Sequence, residues 1–90
     1  MALINVNELA EAMLMFTLLP SINIVDKAGN IVVNKNGAKP ILVHEGDNEY
    51  AVMWVNDEFC TIKDFEADTP EKVIKIAYNW CVENKLININ

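Results

Sequence analysis

Read for the spacing of its apolar positions, the chain offers strand patterns through its middle and helix patterns at its two ends. Residues 50–56 and 59–65 are β-branched and aromatic runs separated by Asp57 and Glu58, the arrangement of two strands joined by a short hairpin connection. A two-residue loop sets Val55 opposite Cys60, Met53 opposite Ile62 and Ala51 opposite Asp64. Alternation then sorts the side chains onto two faces. One is aliphatic, with Ala51, Met53, Val55 and Ile62, and suits a covering helix. The other carries Tyr50, Val52, Trp54, Phe59, Thr61, Lys63 and Phe65, and suits either a second covering element or an exposed binding surface.

From Thr69 the period changes to that of a helix. Thr69 is a good N-cap, Pro70 fits the first helical position, and Glu71 complements the positive end of the helix dipole. Val73, Ile74, Ile76, Ala77, Trp80 and Cys81 fall on one stripe, with Lys72, Lys75, Asn79 and Glu83 opposite. Asn84 would break that stripe, so the helix is expected to end there, with Asn in the left-handed conformation. Tyr78, Val82 and Leu86 sit off the stripe, free for the last residues of the chain or for a neighbour.

At the other end, Asn5 and Glu8 read as a capping box, with Ile4 and Leu9 as its hydrophobic staple. The helix they start runs to about Leu19, where Pro20 stops it. Its second half, residues 12–19, is apolar almost all round apart from Thr17, which calls for burial on more than one side. A signal peptide is disfavoured, because no Lys or Arg precedes Lys27 and two acids, Glu8 and Glu11, precede the apolar run. The run is also well short of the ~20 residues of a membrane span.

Between these ends, residues 22–26 and 30–33 read as short strands around Gly29, whose freedom at positive φ closes the connection. Residues 34–40 are polar and turn-forming, residues 41–45 form another strand, and residues 46–49 turn into the hairpin described first. The expected fold is α+β in a single domain over residues 1–90. It has an N-terminal helix, an antiparallel meander of four to five strands, and a C-terminal helix packed on the sheet.

Composition sharpens this picture. The apolar fraction of 52% is high for a 90-residue chain and makes self-association a serious alternative. The two cysteines, Cys60 and Cys81, both fall on faces expected to be core, so no disulfide framework is expected and a cytoplasmic location is. The net charge of −6 is unevenly spread. From Glu45 to Glu71 the acids are Glu45, Asp47, Glu49, Asp57, Glu58, Asp64, Glu66, Asp68 and Glu71, against the single base Lys63. Direct binding to nucleic acid or to an anionic membrane is thereby disfavoured, and a basic protein partner is favoured.

Candidate chemistry is thin. His44 is the only histidine, and a Cys–His pair can support nucleophilic catalysis or metal binding. Yet there is no CxxC, no HxxxH and no glycine-rich phosphate loop. No catalytic residue, metal ligand or cofactor is expected, and the chain does not read as an enzyme. What does stand out is arrangement: acids at the turns and before the C-terminal helix can surround a ring-bearing face. The candidate partner-binding residues are Tyr50, Trp54, Asp57, Glu58, Phe59, Asp64, Glu66 and Asp68.

In these features, nine acids on strands and turns of a short, Cys-poor chain, the protein resembles the small acidic inhibitors carried by bacteriophages and mobile elements, including anti-CRISPR proteins and other DNA mimics. The likeness is one of overall profile and covers about a third of the chain. It implies that carboxylates stand in for phosphates on the nucleic-acid-binding surface of a nuclease or similar complex. The alternative is a homo-oligomer, such as a homodimer, associating through residues 13–19 or through the face that bears Trp54. The inhibitor reading requires the acids to converge on one exposed patch beside the rings.

Overall fold

The computed structural model describes residues 6–23 and 27–87. Two helices and five strands follow in the order α1 (Val6–Thr17), β1 (Ile22–Asn23), β2 (Val32–Val33), β3 (Lys39–Gly46), β4 (Glu49–Val55), β5 (Thr61–Ala67) and α2 (Pro70–Glu83). This is the expected α+β arrangement, with the strands divided between a two-stranded sheet β1-β2 and a three-stranded antiparallel sheet β3-β4-β5. The capping box and staple at Ile4, Asn5 and Glu8 lie outside the residues whose side chains are described. No helix among the described residues is long and apolar enough to cross a membrane.

The helices form one layer and the three-stranded sheet the other. The thinnest dimension of the molecule, 18 Å, is that of a single helix layer on a sheet, while the longest is 49 Å. The radius of gyration of 13.6 Å exceeds the ~12 Å of a compact chain of this length. Packing of α1 is mainly against α2, so much of α1 is left exposed. Ala12 and Leu19 are buried, but Met13, Leu14 and Leu18 are 41, 67 and 56% exposed. The burial expected on more than one side of this helix is therefore not supplied within the chain.

The N-cap of α2 is as expected, with the Thr69 hydroxyl accepting from the Lys72 amide at 3.2 Å. Val73, Ile74, Ala77 and Cys81 are buried, whereas Ile76, expected on the same stripe, is 43% exposed. The end of the helix differs in one residue. Asn84 keeps φ −95° and Lys85 takes the left-handed conformation at φ 58°. The Lys85 amide donates to the Val82 carbonyl at 3.0 Å and the Leu86 amide to that of Cys81 at 2.8 Å, the double closure of a Schellman turn.

The β4–β5 hairpin corrects two expectations. The connection spans residues 56–60 rather than two residues, and beyond a bulge at Trp54 and Val55 the pairs are Met53 with Asp64, Val52 with Phe65 and Ala51 with Glu66. The slip is two residues, and a period of two returns each side chain to its expected face. What changes is which face is covered. Helix α2 lies over the ring-bearing side, where Trp80 meets Trp54 at 5.4 Å and Phe65 at 5.5 Å. The Lys63 ammonium, 5.1 Å from the Phe65 ring and 5.3 Å from that of Trp80, closes the cluster at its edge. Neither described helix packs on the aliphatic side, where Ile41 is 44% exposed and Asp64 and Glu66 face solvent.

Two contacts tie the small sheet to the large one. Ile22 and Ala38 exchange backbone hydrogen bonds at 3.0 and 2.8 Å. Gly37 permits that approach, since a Cβ there would stand 2.5 Å from the Ile22 carbonyl oxygen.

Candidate interaction surface

The eight candidate residues do not form one patch. Trp54 is fully buried in the core, so it cannot serve as a surface anchor. Its indole is the best available filler for the gap between sheet and α2, and burial of so large an apolar area outweighs exposure. Tyr50 is half-buried and stacks on His44, with ring centroids 4.4 Å apart and planes 1° from parallel. Asp64 is exposed on the opposite face of the sheet from these rings, and Glu66 is exposed on the edge strand β5. Asp68 stands at the start of α2, 3.1 Å from the Lys72 ammonium. A hydrogen bond and the charge of Lys72 hold the Asp68 carboxyl below its usual range.

Five of the acids fall into two groups at opposite ends of β4. Glu45, Glu49 and Glu66 border a cleft of about 300 Å³ beside Tyr50. Asp57 and Glu58 border a second, of about 270 Å³, at the far end of the strand. A seven-residue strand separates the two ends by roughly 20 Å, which is beyond the screening length at physiological salt. The required convergence on one patch beside the rings is not what the fold provides. Each group acts by itself.

Three candidates do come together: Asp57, Glu58 and Phe59, consecutive in the β4–β5 connection. Phe59 is 90% exposed, the most exposed of the large apolar side chains among the described residues. Its backbone sits at φ 61°, a conformation that costs a non-glycine residue about 1 kcal/mol. The loop holds it there by Asn56. The Asn56 Oδ1 accepts from the amides of Glu58 and Cys60, both at 3.0 Å. The Asn56 amide donates to the Cys60 carbonyl at 3.1 Å, and the Phe59 amide to the Asn56 carbonyl at 3.0 Å.

The result is a braced protrusion with a ring at its tip and two carboxylates at its side. Sequence reasoning overlooked Asn56, although an Asn opening a polar stretch is a recognised seed for such side-chain-closed turns. The longer loop also moves Cys60 out of the expected core. Its thiol is exposed, while that of Cys81 is buried and pushed up to about 12 by loss of hydration.

His44 is exposed and engaged in the Tyr50 stack. Among the described residues, no group of three or more His, Cys, Asp or Glu is placed to hold a metal ion. Compared with protein families, with curated proteins and with solved structures, the chain matches none.

Proposed function

We propose that this protein is a non-enzymatic binding protein that docks on a basic protein surface through the β4–β5 loop, blocking it by occupation. The observation that carries the reading is Phe59, held at positive φ by the Asn56 bridges with its ring 90% exposed. A large ring kept in solvent by a strained, braced backbone has no use within the subunit. In an interface such a ring is the kind of side chain that fills a partner's pocket and carries most of the affinity. Asp57 and Glu58 beside it favour a cationic rim around that pocket and speed encounter. The net charge of −6 adds long-range attraction to the same kind of partner.

A nucleic-acid-handling protein fits this description, since its binding surface is basic by necessity. On this reading the chain is an inhibitor of the phage-carried type acting in the cytoplasm, with no cofactor. The mimicry is narrower than a carpet of carboxylates: one apolar anchor flanked by two acids. The test is affinity capture from a bacterial lysate at low and high salt, with wild type, Phe59→Ala and Asp57→Asn/Glu58→Gln compared. A basic protein retained by wild type, lost with Phe59→Ala, and released by salt only where the acids are intact supports the reading. The same proteins retained by the wild type and by both variants overturn it.

A second reading is favoured by the exposed Met13 and Leu14 of α1 and Leu18 just beyond its end. No charged residue occurs from Ala12 to Ser21, so two copies can join over this stretch without apposing like charges, although each is strongly acidic. Light scattering separates this from the first reading. A dimer broken by Leu14→Glu supports it, and a strict monomer at high concentration ends it.

A further inference from the structure

We infer that the cleft at the base of the β4–β5 loop receives one long cationic side chain of the partner, an arginine, alongside Phe59. This rests on the docking role proposed for that loop and specifies the partner's chemistry. The cleft, about 270 Å³, lies between the β4–β5 loop and the segment around Gly37. Small-molecule sites generally span ~300–1,000 Å³, so its size suits a side chain rather than a cofactor. The accessible apolar surface of its floor comes mainly from Ile62, which is half-buried, since Ile22 and Ala38 beside it are only 2 and 3% exposed. The polar residues that line it are Asn23, Asn36, Asn56, Asp57 and Glu58. Among the described residues, no cationic one lines it.

An apolar floor under an acidic rim matches the two halves of a long basic side chain, whose methylene stem packs on hydrocarbon while its head stays among polar groups. Arginine fits better than lysine. Two acids, Asp57 and Glu58, line the cleft with Asn23 and Asn36, and a planar guanidinium presents five donors in a fixed fork to such a set, where an ammonium presents a compact point charge. The same loop then contributes twice. Its tip projects a ring outward, and its base takes a guanidinium inward, so a partner with an apolar pocket next to an arginine engages both.

The experiment is a titration of the ¹⁵N-labelled full chain with N-acetyl-arginine-N-methylamide, followed by amide chemical shifts. The isosteric but neutral citrulline analogue is the control. Saturable shifts are expected at Gly37, Ala38, Asn56 and Glu58, with the citrulline analogue weaker by roughly tenfold. The Asp57→Asn/Glu58→Gln variant is expected to lose the difference between the two probes while keeping a wild-type spectrum elsewhere. Equal shifts from both probes, or shifts spread evenly over every acid without saturation, overturn the inference. The two proposals fail separately. A cleft indifferent to the arginine probe in a protein whose partner capture still depends on Phe59 removes the cleft and leaves the docking loop. Saturable binding of the arginine probe with no dependence of capture on Phe59 removes the docking role of the loop.

Discussion

The Trp54 indole N–H donates to the Pro20 carbonyl oxygen at 2.9 Å. This bond joins the central strand of the sheet to the segment between α1 and β1. It satisfies the one polar atom of a side chain that is otherwise sealed among Phe65, Trp80 and the apolar face of α2. Substituting Trp54→Phe keeps most of the ring volume but leaves the Pro20 carbonyl without its partner, for an expected loss of about 1–3 kcal/mol. Trp54→Ala adds a cavity and is expected to cost about 3–5 kcal/mol. Urea unfolding of the two variants checks the order. Equal losses would mean that the hydrogen bond, not the packing, dominates.

That bond also marks what the sequence could and could not reveal. Local signals were legible: the Thr69-Pro70-Glu71 start of α2, the turn at Gly29 with φ 89°, the alternation that put Val52, Trp54 and Phe65 on one face, and a first helix that ends ahead of Pro20, at Thr17 rather than near Leu19. Pairings between distant residues were not. Which face α2 covers depends on Trp80 meeting Trp54, 26 positions earlier, and no periodicity within either segment carries that choice. The loop length was misread for a related reason. Asp57 and Glu58 look like a two-residue turn until the Asn56 side chain, by closing on two amides, makes a five-residue connection the better one. That single change carried Cys60 to the surface. The site suffered most, because its eight residues were united only by an assumed patch.

At the end of α2, Lys85 occupies at φ 58° the position that glycine prefers in a Schellman turn. The side chain is exposed. Lys85→Gly relieves the left-handed strain and is expected to stabilise the protein by about 0.5–1 kcal/mol, even after the greater backbone freedom of glycine in the unfolded chain. Chemical denaturation measures it. Because the position is remote from the β4–β5 loop in the chain, partner capture is expected to be unchanged. A destabilised variant would show that the Lys85 side chain contributes more than its backbone costs.

The two thiols are expected to separate in reactivity. Cys60 is exposed and Cys81 is buried, with its pKa pushed up to about 12. At neutral pH a thiol-specific reagent is expected to label Cys60 and leave Cys81 until the chain unfolds. The pH dependence has a definite sign. An unfolded Cys81 releases its proton near the ordinary thiol value while the folded one holds it, so the unfolded state binds fewer protons between about 9 and about 12. Its contribution is intact below that window and is lost as pH rises through it. Mass spectrometry of labelled native and denatured protein, repeated up the alkaline range, follows both effects. Labelling of Cys81 at the rate of Cys60 in the folded protein would contradict the burial.

The sharpest opposition between stability and binding is expected at Phe59. Its backbone at φ 61° disfavours any residue with a Cβ, and its ring, 90% exposed, contributes little to the core. Phe59→Gly is therefore expected to raise stability by about 0.5–1 kcal/mol, whereas Phe59→Ala, which keeps the Cβ, is expected to leave it nearly unchanged. Asn56→Ala acts in the other direction. It strands the Glu58 and Cys60 amides and is expected to cost about 1–2 kcal/mol, with loss of order confined to the loop. If the loop docks through its ring, all three variants weaken partner binding despite their different stabilities. Binding lost in proportion to stability would reduce Asn56 and Phe59 to parts of a turn. Binding lost in the more stable Phe59→Gly variant separates the two, since only a contact made outside the subunit disappears while the fold gains.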